Sequence, residues 1–183
     1  MPKKVLVLLA EGFEEVEAVM PVDILRRAGL NVTITSLGEN QVTGAHGLTI
    51  VADSKLLDID PHQFDALVIH GGMPGAENLA NDKNVFNIIK DYHQRGKLIA
   101  AICASPAFVL APTGILSGKK ATCFPGCEDK FDDKTTFVID RVVVDGSVIT
   151  SRGLGTAHDF ALTIVGYLCG QQKADEIAAQ TLR

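Results

Sequence analysis

No apolar run in the chain approaches the ~20 residues that a transmembrane helix needs. The apolar run after Met1-Pro2-Lys3-Lys4 is too short for an export signal. Cysteine is sparse, four in 183 residues, which does not make a disulfide framework in a chain of this size. These absences lead us to expect a cytoplasmic protein in a reducing compartment, with no membrane partner. Positive charge is also in deficit: the net charge is −5, so stable nucleic-acid binding is not expected. There is no internal repeat, low-complexity tract or linker. The glycine-bearing loop Ser151-Arg152-Gly153-Leu154-Gly155-Thr156 lacks the dinucleotide fingerprint and its first-strand placement. Cys123-x3-Cys127 has no second ligand pair, so no metal site is expected, and nothing calls for a cofactor.

What is present is a globular composition, 46% hydrophobic and 21% charged, long enough for one domain over 1–183. Val5 to Ala10 is continuously apolar and reads as a buried strand. Phe13 to Ala28 then places Val16, Val19, Met20, Ile24 and Leu25 at helical spacing, and Gly29 is the stop. Pro21 inside that pattern predicts a kink or a join between two helical pieces. Leu30 to Leu37 alternates as a second strand, and Gly38 to Val51 suggests a small hairpin. Asp65 to His70 is a third core strand ending at Gly71-Gly72, and Ala76 to Gln94 reads as helix in two pieces. Leu98 to Ile102 is the next strand. Pro106 to Leu110 starts a helix that Pro112 and Gly114 end. Three short β-prone runs (135–139, 141–144, 147–150) surround an Asp145-Gly146 turn, and two helices (156–168, 173–182) follow. Strands alternating with helices imply an α/β fold with a mostly parallel sheet and a small antiparallel piece.

In an open α/β sheet, ligands bind beyond the carboxyl ends of the strands. Three strand ends carry reactive side chains or tight turns: Glu11 to Glu15, His70-Gly71-Gly72 and Cys103-Ala104. Leu98 to Ile102 stops at Cys103, and Ala104, Ser105 and Pro106 suit a first helical turn. Cys103 then sits on a strand-to-helix turn with a helix N-terminus behind its sulfur, which favours the nucleophilic thiolate. The plainer alternative is a small core hydrophobe.

Glu11, Glu14 and Glu17 are expected to complement the helix dipole or face solvent. A carboxyl aimed at Cys103 would share a proton with it and act as general acid/base. Glu15 is the candidate, although spacing does not separate it from Glu14. Gly71-Gly72 can aim backbone N–H groups at an oxyanion, together with the N–H of Ala104, or can simply be a turn. His70 can be a base, but a histidine at a strand end is more simply a satisfied structural residue. Arg152 can hold a substrate carboxylate or raise the potential around Cys103, with a surface ion pair as the alternative. Cys123 or Cys127 can resolve an oxidised Cys103, and Cys169 reads as core.

Together these residues resemble the ThiJ/PfpI superfamily, in its Parkinson-disease-protein and YajL-like branch. The resemblance runs almost end to end. It covers the opening Val-Leu-Val-Leu-Leu-Ala with Glu14-Glu15-Val16-Glu17-Ala18, then Pro21-Val22-Asp23 and Arg26-Arg27-Ala28-Gly29. It continues through Gly71-Gly72 with Gly75 to Leu79, Ile99 to Ala104, and Thr150 to Gly153 with Gly155-Thr156. It implies a flavodoxin-like α/β/α sandwich of the class I glutamine amidotransferase type. It also implies a homodimer with the first helix, around Glu15 to Arg27, near the interface. On this resemblance Cys103 matches the reactive, oxidation-prone cysteine and Glu15 the protonated glutamate bonded to its sulfur. Gly72 and Ala104 match the backbone donors, and Arg152 and Arg27 are candidates for substrate or interface contacts.

Some positions depart from the family pattern. Phe124 stands where some members place a histidine near the cysteine, so no Cys–His pair is expected. Leu154 replaces the branch's usual proline. Ala104 replaces the histidine that follows the cysteine in the protease members. Ending at Arg183, before the extra helix that some relatives carry over the site, the chain is expected to leave Cys103 more open. The resemblance implies a cofactor-independent deglycase or glyoxalase. Such an enzyme acts on methylglyoxal or glyoxal and their early adducts on amines and thiols, releasing lactate or glycolate. Alternatives are an oxidative-stress sensor or redox-regulated chaperone working through Cys103 oxidation, and a binding module without turnover.

Overall fold

Each apolar run leads into a helix that must bury its own stripe, and the chain folds to satisfy both requirements. In a computed structural model of all 183 residues, the elements follow in the order strand β1 (Lys4–Leu9), helix α1 (Glu15–Arg27), β2 (Asn31–Ser36), β3 (Gln41–Thr43), β4 (Thr49–Val51) and β5 (Ser54–Lys55). Next come β6 (Ala66–Ile69), α2 (Gly75–Ala80), α3 (Lys83–Gln94), β7 (Leu98–Ile102), β8 (Lys120–Ala121) and β9 (Thr136–Phe137). The chain closes with β10 (Val142–Asp145), β11 (Val148–Ser151), α4 (Ala157–Cys169) and α5 (Gln171–Gln180). None of these helices is long and apolar enough to cross a membrane.

Seven strands form one sheet in the order β10-β11-β7-β6-β1-β2-β5, parallel except for the β10–β11 pair at one edge. Because side chains alternate across a strand, β1 divides between two cores. Val5, Val7 and Leu9 pack with Ala18, Val22 and Leu25 of α1 and Phe160 and Ile164 of α4. Leu6 and Leu8 pack with Leu79 of α2 and Val85, Ile89 and Tyr92 of α3. The sheet is thus covered on both faces, as its continuously apolar strands require.

From β1 the chain steps to β2 on one side, then returns to place β6 on the other, so the order reverses between β1 and β6. A crevice opens at the carboxyl edge of such a reversal. The β6–β7 register pairs Ile69 with Ala101, so continuing it two residues brings Gly71 level with Cys103.

Two expectations are corrected. Helix α1 runs through Pro21 as a single element, with no join. Residues Pro106–Leu110 form a π-helical turn followed by a 3₁₀ turn, not an α-helix, ending where Gly114 turns left-handed at φ 77°. The two-residue strands β5 and β8 are too short to produce a periodic signal.

Candidate active site

Cys103 departs from the extended backbone of β7 into the left-handed region, at φ 67°. This conformation is rare for a residue with a Cβ and costs roughly 1–3 kcal/mol. Its neighbours hold it there. The Cys103 N–H donates to the Ser151 carbonyl at 3.0 Å, and the Phe124 N–H donates to the Cys103 carbonyl at 2.7 Å. The sulfur lies near the N–H groups of Gly72 and Ala104, which act to lower its pKa.

The carboxyl beside that sulfur belongs to Glu17, not Glu15. Glu17 is 1% exposed, lies beside the Cys103 sulfur across Gly71, and accepts from the Gly71 N–H at 3.0 Å on Oε2. The Leu154 N–H is a further partner, supplied by the loop that carries glycines 153 and 155. Glu15 is buried as well, but it faces the β3–β4 hairpin. Its Oε1 accepts from the His46 N–H at 2.7 Å and its Oε2 meets His46 Nδ1 at 3.0 Å. The correction is one of helix phase. Two residues along a helix rotate a side chain by ~200°, so the positions 15 and 17 point to opposite sides of α1. Nor does Glu17 merely answer the dipole or face solvent, as expected from its place in the first turn.

The sequence did contain a signal for Glu17. Ala18, Pro21, Val22 and Leu25 are buried and in phase with it, whereas Val16 and Val19, read as core-facing, are 40% and 50% exposed. With three acids in one turn, the phase of the buried stripe was the discriminating feature.

Burial pushes Glu17 up to about 7, against the hydrogen bonds from Cys103 and the backbone of Gly71. Burial also pushes the Cys103 thiol up to about 12, with the Glu17 charge adding to it and the Gly72 and Ala104 N–H groups opposing. The helix-terminus effect expected to favour the thiolate is outweighed by desolvation. The two groups titrate as one pair. With its proton on Glu17, the carboxyl stops repelling the sulfur and donates to it instead, and the two N–H groups then bear on a thiolate.

Glycine is required at the neighbouring turn. A Cβ on Gly71 would lie 2.6 Å from Glu17 Oε2 and 2.8 Å from the Cys103 sulfur. Gly72 adopts φ 87°, and its missing Cβ leaves room for the backbone of Phe13 and Glu14. His70, just before this pair, is fully enclosed. Burial pushes it down to about 4, so it is neutral, and it is no base for Cys103. Its Nδ1 lies 2.7 Å from the Gly71 carbonyl, the Leu8 backbone also acts on the ring, and Nε2 makes no hydrogen bond within the protein. Ser105, which the sequence offered only as a helix-start residue, donates its hydroxyl to the His70 carbonyl.

Other candidates lie outside this cluster. Arg152 bonds the Ile139 carbonyl at 3.3 Å, and its charge acts on Cys123 and Glu128. Arg27 pairs with Asp23 at 2.7 Å on its own helix, roughly 18 Å along α1 from Glu15 at 1.5 Å per residue. Cys169 is exposed rather than core, and no two cysteines are bridged. Half-exposed Phe124 lies beside Gly153, where a Cβ would stand 3.3 Å from its ring and 3.7 Å from Glu17 Oε1.

The arrangement can therefore hold a sulfur nucleophile, share its proton with a carboxyl and stabilise negative charge with two N–H groups. A model of the DJ-1/PfpI family matches residues 3–166. Protein DJ-1 homolog B of Arabidopsis thaliana is 44% identical over 178 residues, covering 96% of this chain but 40% of that protein. This chain thus spans less than half of that plant relative. A Caenorhabditis elegans protein named glutathione-independent glyoxalase DJR-1.2 is 38% identical over 177 residues, covering 96% of this chain and 94% of the relative. The solved structure of oxidized Toxoplasma gondii DJ-1 superposes with a TM-score of 0.95 at 39% identity, covering 98% of both chains. On these grounds the chain belongs to the DJ-1/PfpI family.

Proposed function

We propose that this protein is a cofactor-independent cysteine enzyme of the glyoxalase or deglycase type, acting on methylglyoxal, glyoxal and their early adducts on amines and thiols. One observation carries the reading: a half-buried cysteine at a strained turn lies against a buried carboxyl and two backbone N–H groups that act on its ionisation. The glyoxalase name of the nematode relative supports the substrate class.

Cys103 passes its proton to Glu17 and adds through sulfur to the aldehyde carbon. The N–H groups of Gly72 and Ala104, already directed at the sulfur, lie beside the oxygen that takes up negative charge. Glu17 protonates that oxygen. It then removes the proton from the same carbon and returns it to the neighbouring one, while the hydroxyl proton passes to the former ketone oxygen (the second aldehyde oxygen in glyoxal), so that the first aldehyde carbon becomes a thioester. Water cleaves the thioester, releasing lactate from methylglyoxal or glycolate from glyoxal and restoring the thiol. Glu17 thus takes the role expected of Glu15. A mechanism that needs a free thiol suits a reducing compartment, and on that ground we place the protein in the cytoplasm. We further propose that it works as a homodimer joined through the exposed apolar side of α1.

Loss of methylglyoxal on incubation with pure protein tests the reading. Cys103→Ala should abolish it, and Glu17→Gln should lower kcat by roughly 10²–10⁴-fold. A Cys103→Ala protein that consumed methylglyoxal at the parental rate would sink the proposal.

A second reading, oxidative sensing, draws on the same contact. A carboxyl and two N–H groups around the sulfur are the partners a sulfinate needs. Intact mass after mild peroxide should then rise in oxygen steps that Cys103→Ala removes.

A further inference from the structure

Two consecutive peptide units at the end of β6 are each bonded on both sides. In the His70–Gly71 unit, the carbonyl accepts from the Ser105 hydroxyl and the N–H donates to Glu17 Oε2 at 3.0 Å. In the Gly71–Gly72 unit, the carbonyl accepts from the Glu14 N–H at 3.0 Å and from His70 Nδ1 at 2.7 Å. The Cys103 sulfur lies against this turn, 2.8 Å from where a Cβ on Gly71 would stand, and the Gly72 backbone acts to lower its pKa.

A carbonyl oxygen only accepts, so the His70 proton sits on Nδ1. The price is a buried Nε2 that makes no hydrogen bond within the protein. An apolar side chain of similar size would avoid that cost, so the Nδ1 bond needs a reason. Planarity supplies it. The C=O and N–H of a trans peptide point in opposite directions within one plane, so whatever fixes the Gly71 oxygen fixes the Gly72 N–H. Glycine on both sides leaves this unit few steric restraints of its own. Hydrogen bonds to its carbonyl also polarise the amide and make its N–H a stronger donor.

We propose that His70 is a positioning residue, holding and polarising through its Nδ1–H one of the two peptides whose N–H groups face the Cys103 sulfur. Ser105 does the same for the preceding peptide, which holds Glu17. The inference rests on Cys103 being the nucleophile of the proposed reaction, but its test does not need turnover.

The rate of Cys103 alkylation by iodoacetamide, followed by peptide mass over roughly pH 5 to 10, reads the thiolate directly. The variants are His70→Leu, which has no donor, His70→Asn, whose amide nitrogen overlays Nδ1, and His70→Gln, whose amide nitrogen overlays Nε2. His70→Leu should shift the alkylation profile upward by about one pH unit, which is tenfold in rate at neutral pH. His70→Asn should restore the parental profile, and His70→Gln should behave like His70→Leu. A merely structural histidine predicts the opposite: melting temperatures fall while the alkylation profiles coincide, or Asn and Gln behave alike. Either result overturns the inference. Nitrogen NMR of the unmutated protein gives a check that does not depend on the variants folding: a proton found on Nε2 overturns it too. Methylglyoxal turnover measured alongside keeps the two readings apart. A parental protein with reactive Cys103 and no turnover sinks the glyoxalase reading and leaves the role of His70 standing.

Discussion

A cysteine held at φ 67° keeps its sulfur clear of the strand, and the backbone bears the cost of the conformation. Glycine would relieve that strain and alanine would not. Cys103→Gly is therefore expected to be more stable to urea than Cys103→Ala by about 1 kcal/mol, whereas equal midpoints would mean an unstrained turn. Glu17 carries a second signature. Its value of about 7 in the fold lies above the ordinary 4.5. Between these values the folded state keeps a proton that the unfolded chain has lost, so stability falls as pH rises through the window. The loss is on the order of 3 kcal/mol and complete above the folded value. Glu17→Gln cannot titrate and mimics the protonated acid. It should match the parent near the ordinary carboxyl pKa and exceed it above neutral pH, and urea midpoints at the two ends of the window measure the difference. Cys103 was legible in the sequence because an apolar run stops on it. Glu17 was not, because three acids in one turn look alike until the buried stripe of the helix is phased.

Helix α1 joins two structures through its acids. Its inner side holds Glu17 against the turn between β6 and α2, and its first residue, Glu15, holds the β3–β4 hairpin through the N–H groups of His46 and Leu48. Burial works to raise the Glu15 carboxyl, but the His46 side chain and these backbone donors outweigh it and hold it below the ordinary range. Glu15 therefore belongs to the hairpin. Glu15→Gln is expected to leave methylglyoxal consumption and the Glu17 titration near parental, and to speed hydrogen exchange at the His46 and Leu48 amides about tenfold. A collapse of activity comparable to that of Glu17→Gln would return Glu15 to the site. The central strands and long helices were legible because each has an unbroken apolar run or a helical period. The π turn at Pro106–Leu110 was not, because proline and small residues start an α-helix equally well and tertiary packing chose between the two.

At the scale of the whole molecule, the outer side of α1 is what the fold leaves unpaired. Val16 and Val19 are 40% and 50% exposed, and Leu48 and Val51 of the hairpin region are 63% and 65% exposed. Val16, Val19, Met20 and Leu48 share one shallow recess, edged by Glu15 and Asp23. Apolar side chains gathered this way mark an interaction surface more often than chance exposure. Their spacing had suggested a core-facing stripe, and only the fold turns them outward; the homodimer came from the family resemblance. The exposure agrees with the proposed dimer, because a helix that buried one face in its own core and a second face in a partner would be apolar on both. A two-fold contact here would also clamp the helix that carries Glu17 and so stiffen the carboxyl against Cys103. Val19→Glu places a charge in the middle of the patch, next to acids already at its rim, and across a two-fold axis it meets its own copy. Light scattering at micromolar concentration should give twice the chain mass for the parent and a single chain for Val19→Glu. Cys103 should stay alkylatable in the variant, since the turn that carries it is built within one chain. A Val19→Glu protein that kept the two-chain mass would move the interface away from α1.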